Sequence, residues 1–140
     1  MKLKRISIYL MLIPLLALSC NKDKTDTLDI KKYKWKLISI TINSETSKPK
    51  EEKSRYVLEF LTDSTFSLNL SINSGGGMYK LQSKGEIMVS SFSAFTEICC
   101  ENSFDEKLIA SLKSVSNYNV SGRTLVFQKA DTKIEFKRKL

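Results

Sequence analysis

The chain has 140 residues, of which 23 are basic and 15 acidic, with three cysteines and no histidine. That length suits one domain, and 41% hydrophobic residues with a formal charge of +8 suit a folded chain rather than a disordered one. The missing histidine removes the commonest general base, the commonest metal ligand and every Ser-His or Cys-His pair.

Residues 1–19 read as a targeting segment. Lys2, Lys4 and Arg5 form a basic start, and Ile6 to Leu18 is nearly all apolar. That run is shorter than the roughly 20 residues a bilayer span needs, and it matches a secretory signal instead. It ends in Ala17-Leu18-Ser19-Cys20, which resembles the lipobox of bacterial lipoproteins. In that family the cysteine becomes the first mature residue and carries lipid. Ala17 stands where Leu is commonest. An ordinary signal peptide with a chance cysteine, or an uncleaved anchor, is the plain alternative. Charge, run length and cysteine position together favour lipid attachment at Cys20. Removing three basic residues and no acidic one takes the formal charge from +8 to +5.

Residues 20–32 then form a tether between lipid and domain. Lysines 22, 24, 31 and 32 are interleaved with Asp23, Asp26 and Asp29. Attraction to anionic headgroups or nucleic acid is one reading of such a run. The acidic residues dilute it and no aromatic ladder accompanies it, so it reads as a solvated tether, and no nucleic-acid partner is expected.

The domain is expected over 33–140. A strand opens at Trp35 and runs to Ile42, with apolar residues on both faces after Trp35. Residues 43–53, charged and holding Pro49, read as a loop. Tyr56, Leu58 and Phe60 mark a second strand and Phe66, Leu68, Leu70 and Ile72 a third, the cleanest alternation in the chain. Asn73-Ser74-Gly75-Gly76-Gly77 is expected to be a turn or bulge. The strand-like Met78 to Leu81 that follows argues against a phosphate loop, which needs a helix there. Glu86 to Ser91 is a further strand after the Lys84-Gly85 turn.

Ser103 and Glu106 then stand at capping-box spacing, and Phe104, Leu108, Leu112 and Val115 fall on one helical face. Asp105 and Glu106 near its start and Lys113 near its end suit the helix dipole. The period next changes to two around Ser121-Gly122, the mark of a hairpin, and a last strand covers Lys133 to Lys137. The expected fold is mostly β with one helix (α+β). A curled, barrel-like antiparallel sheet of seven to eight strands is closed by one α-helix around 103–115.

This order of motifs resembles the META domain of HslJ-like bacterial envelope proteins. The resemblance runs from about Lys34 to Arg138. It rests on Trp35-x-Leu37, Phe60, Tyr79 after a glycine turn, Thr96-x-x-x-Cys100, the capped helix through Leu112 and Val115, and Tyr118-x-Val120-x-Gly122-x-x-Leu125. Its candidate family-motif positions are Trp35, Tyr79, Thr96, Cys100, Tyr118 and Gly122. The family commonly has Gly-Cys-Asn before the tyrosine. Here Gly76 and Gly77 take the places of Cys and Asn, so the cysteine pairing that the family would allow is not open to Cys100. The resemblance implies a small β-rich barrel, an envelope setting linked to heat or antibiotic stress, and no catalytic activity.

Other chemistry is thinly represented. Cys99 and Cys100 are neighbours, and a bridge between adjacent residues is strained, so free thiols are favoured over a vicinal disulfide. Glu97, Glu101, Asp105 and Glu106 are scattered by helix and strand geometry, so no metal and no cofactor are expected. The sequence thus reads as a lipid-anchored, non-enzymatic envelope protein whose partners are the membrane, through its anchor, and another envelope protein. Asn21 after the cysteine favours the outer membrane. The second reading is a small-molecule, lipocalin-like binder in which Trp35, Tyr56, Phe60, Phe66, Tyr79, Phe127 and Phe136 line the sheet interior.

Overall fold

A computed structural model describes residues 30–50, 55–94 and 103–140. These residues form nine antiparallel strands: β1 (Lys34–Ile42), β2 (Glu45–Ser47), β3 (Val57–Phe60), β4 (Thr65–Asn69), β5 (Ser74–Gln82), β6 (Glu86–Ala94), β7 (Asn117–Ser121), β8 (Thr124–Lys129) and β9 (Thr132–Arg138). One helix, α1 (Ser103–Ser114), lies between β6 and β7. Eight strands follow one another around a closed barrel, because β1 pairs with β3 on one side and with β9 on the other. The short β2 hangs beside the far half of β1, with Ile40 opposite Ser47. It falls inside the segment expected to be a loop; its three residues carry no apolar alternation to announce it.

The puzzle of β1 is resolved by a bulge. Its register against β9 shifts between Leu37 and Ser39. One extra residue flips the alternation, so Trp35, Leu37 and Ile40 all point inward and are buried. Apolar residues that look two-faced in the sequence therefore serve one face.

The glycine run is not a turn. The chain reverses one step earlier, where the Leu70 amide donates to the Asn73 carbonyl at 2.8 Å. Gly75, Gly76 and Gly77 lie inside β5, opposite Leu68, Ser67 and Phe66 of β4. The physical reason is close approach. A Cβ on Gly75 would sit 2.4 Å from the tip of the Phe92 ring. A Cβ on Gly77 would sit 1.9 Å from the Ser91 carbonyl oxygen and 3.0 Å from Phe66. The two bare positions leave room for the rings of Phe66 and Phe92, whose centroids are 6.3 Å apart. The β5–β6 ladder does carry a bulge, immediately beyond, where the register shifts between Met78 and Tyr79.

The barrel has one loose joint. β6 and β7 share a single residue pair, Glu86 with Asn117, and the Ile87 amide donates to the Ser116 carbonyl at 2.9 Å. Helix α1 packs against β6 and β9. Its Leu108 and Leu112, with Val115 just beyond it, are buried in the same cluster as the inward residues of the strands. At the opposite end, a 3-10 turn (Ile30–Lys32) seals the barrel with the fully buried Ile30. The helix and this turn both follow from the need to cover apolar side chains at the open ends of a small barrel.

Candidate functional site

The interior is filled. Leu58, Phe60, Phe66, Tyr79, Ile87, Val89, Leu112 and Phe127 surround a void of about 10 Å³, which is the size of one water at most. Ring contacts account for much of the filling: Phe60 lies 4.8 Å from Tyr79, and Phe127 lies 5.7 Å from Phe136, both edge to face. Such pairs add to the burial term. Larger spaces lie at the surface. One cleft of about 420 Å³ is bordered by Lys36, Ile38, Lys48, Pro49, Lys50 and Tyr56. Another of about 530 Å³ follows the loose joint, between Glu86, Met88, Lys113, Asn117 and Lys129.

The family-motif residues take structural posts. Trp35 is buried and its indole Nε1 donates to the Ile30 carbonyl at 2.7 Å, which ties the 3-10 turn to β1. Tyr79 points inward from β5, and its hydroxyl donates to the Thr62 carbonyl at 2.7 Å. Burial, and then the charge of Asp63, push this hydroxyl above its usual range. Tyr118 is buried from β7, and its hydroxyl has no hydrogen-bond partner among the described residues. Burial, and then the neighbouring Tyr79, push it up as well. Gly122 turns the β7–β8 hairpin at φ +57°, a conformation that strains other residues. Cys20, Thr96, Cys99 and Cys100 lie outside the described residues, as do the targeting segment and most of the tether. Tyr79 and Tyr118 are thus neighbours, whereas Trp35 serves the 3-10 turn and Gly122 the β7–β8 hairpin.

A polar cluster that sequence reasoning missed sits where α1 starts. Asp105 is fully buried. It accepts a hydrogen bond from the Tyr56 hydroxyl at 2.6 Å and another from the Ser71 hydroxyl. The first distance falls in the range of charge-assisted O–H···O⁻ bonds. Phe104 packs edge to face on Tyr56, with centroids 5.3 Å apart. The cluster fastens the start of α1 to the segment before β3 and to the β4–β5 turn. Asp105 had been matched to the helix dipole; the available signal was its spacing, since residues 105, 108, 112 and 115 share one helical face. Among the described residues, no three acidic or cysteine side chains gather in a way that could hold a metal ion.

Comparison with known proteins agrees with this architecture. A crystal structure of a DUF4847 family protein from Bacteroides vulgatus superposes with a TM-score of 0.61 at 14% identity, covering 79% of this chain and 94% of that one. An NMR structure of a protein from Burkholderia xenovorans gives a TM-score of 0.64 at 14% identity, covering 79% and 83%. A further NMR structure gives 0.57 at 19% identity, covering 77% and 90%. At such identities these likenesses speak for the fold alone. No curated protein matches the chain. The family model of the META domain matches residues 28–139, and with most of the chain inside that match the protein belongs to the META domain family.

Proposed function

We propose that this is a lipid-anchored protein of the bacterial cell envelope, held by Cys20, whose META domain is a non-catalytic interaction module. The observation that carries the reading is the filled barrel. With about 10 Å³ inside and both ends sealed, the domain has its outer surface left for recognition. Two of the buried titratable groups have structural tasks: Asp105 fastens a helix, and Tyr79 holds the β3–β4 turn. The Asn21 that follows the cysteine supports placement at the outer membrane, where the module would meet another envelope protein.

Native mass spectrometry on protein gently released from its host's envelope tests this. The expected spectrum is a chain beginning at Cys20 with acyl mass added and no other small molecule retained. A stoichiometric small ligand would overturn the module reading in favour of a binder. A mature chain without acyl mass would overturn the anchor.

A further inference from the structure

The fold collects basic residues that the sequence keeps apart. The chain enters the barrel at Ile30 and Lys34, and there the last strand ends as well. The Lys139 amide donates to the Lys34 carbonyl, and the Arg138 amide to the Arg123 carbonyl, both at 2.8 Å. Lys137 stands opposite Thr124 on one side and Lys36 on the other. The 3-10 turn adds Lys31 and Lys32. Eight basic residues are therefore gathered around the entry point. Two carboxylates answer them: Asp63 pairs with Lys31 at 2.5 Å and Glu59 with Lys34 at 2.9 Å. Arg138 stacks its guanidinium 4.3 Å from the centre of the Tyr33 ring. Lys32, Arg123, Lys137 and Lys139 are exposed and have no ion pair among the described residues.

We propose that this basic end of the barrel rests on the anionic headgroups of the membrane that holds the protein, which leaves the helix-capped end facing away. The proposal rests on the reading of Cys20 as the lipid attachment site. Ten residue steps separate Cys20 from Ile30, so the covalent link spans at most about 35 Å. That is several times the Debye length of about 8 Å at physiological ionic strength. The link alone thus allows the barrel to stand off the bilayer or to lie on it, and surface charge decides between them. In the sequence, the acidic residues of the tether dilute its lysines. The folded end gains Arg123, Lys137, Arg138 and Lys139 from the other end of the chain, with no acid among them.

The single tryptophan supplies the test, since Trp35 is the second residue of β1 and lies at this end. Lipidated protein is added to preformed vesicles of phosphatidylcholine, alone or mixed with phosphatidylglycerol, that carry a dansyl-headgroup acceptor. Flotation reports attachment, and energy transfer from Trp35 reports approach. The expected result is flotation with both vesicles and stronger transfer on the anionic ones. High salt, or the combined K32E, R123E, K137E and K139E variant, should return transfer to the neutral level. Equal transfer on both vesicles by protein that floats with both overturns the proposal and leaves the anchor standing. Failure to float with neutral vesicles overturns the anchor instead. Flotation then becomes the reading: binding to anionic vesicles that the variant loses upholds the basic end, and binding to neither overturns it.

Discussion

Removing the Tyr56 hydroxyl isolates the bond that fastens α1. In the Tyr56→Phe variant the ring still packs on Phe104, and the 2.6 Å bond to Asp105 is lost. A hydrogen bond to a charged group contributes about 1.5–3 kcal/mol. Asp105→Ala removes the bonds from both Tyr56 and Ser71, so its cost should be larger, about 3–6 kcal/mol from two such bonds. At roughly 4 °C per kcal/mol for a domain of this size, Tyr56→Phe should lower Tm by about 6–12 °C. The assay is thermal and urea unfolding of the single variants and of the double variant, arranged as a double-mutant cycle. A coupling of about 1 kcal/mol or more between Tyr56 and Asp105 is expected for groups in contact. Tyr56→Phe and Ser71→Ala both within about 0.5 kcal/mol of wild type, the range of surface substitutions, would refute the fastening role.

The two buried family tyrosines should respond oppositely. Tyr118→Phe removes a buried hydroxyl without a partner and should leave stability unchanged or higher, whereas Tyr79→Phe loses its bond to Thr62 and should cost about 1 kcal/mol, read by urea midpoints. Both tyrosines hold their protons more tightly folded than unfolded. Stability should therefore be complete below the unfolded tyrosine range near pH ~10 and fall as pH rises beyond it. Tyr118→Phe should flatten that decline in a melting series. Gly77→Ala must push back the Ser91 carbonyl and should cost at least about 1–3 kcal/mol. Gly75→Ala meets the movable tip of Phe92 at 2.4 Å and the Ser93 carbonyl oxygen less closely, at 2.9 Å, and should cost less; equal costs measured by chemical unfolding would argue against the close-approach account.

The elements with a clean period were legible in the sequence. The stripe of Leu108, Leu112 and Val115 announced the helix, and the alternation from Phe66 to Leu68 announced β4, because one-sided burial writes itself into sequence at the period of the element. Bulges erase that record. The extra residue in β1 put apolar side chains on two nominal faces, and only the β1–β9 register shows that they share one. The glycine run misled for a related reason. Glycine marks a tight turn and a close strand approach equally well, and the choice depends on Phe92, a residue that follows it by fifteen positions. The polar cluster was hidden because its members, Tyr56, Ser71 and Asp105, come from three separate segments. Likewise, no local pattern could join Lys34 to Lys139.

The single residue pair between β6 and β7 bears on the order in which the chain can assemble. Taken from that joint and with the short β2 set aside, the sheet reads β7-β8-β9-β1-β3-β4-β5-β6, a meander in which every neighbour but one pair is also consecutive in the chain. The exception is β9 with β1, yet these two share a ladder from Trp35 and Arg138 to Ile42 and Thr132. Joining the chain near residues 34 and 139, already linked by a hydrogen bond, and opening it between β6 and α1 would make every extended ladder local and leave only the short β6–β7 joint between the new chain ends. In the natural order the first strand must instead wait for the last one synthesised. The permuted chain should fold faster, since local pairing carries less loop-closure entropy, and stopped-flow refolding of the two chains would measure what that waiting costs.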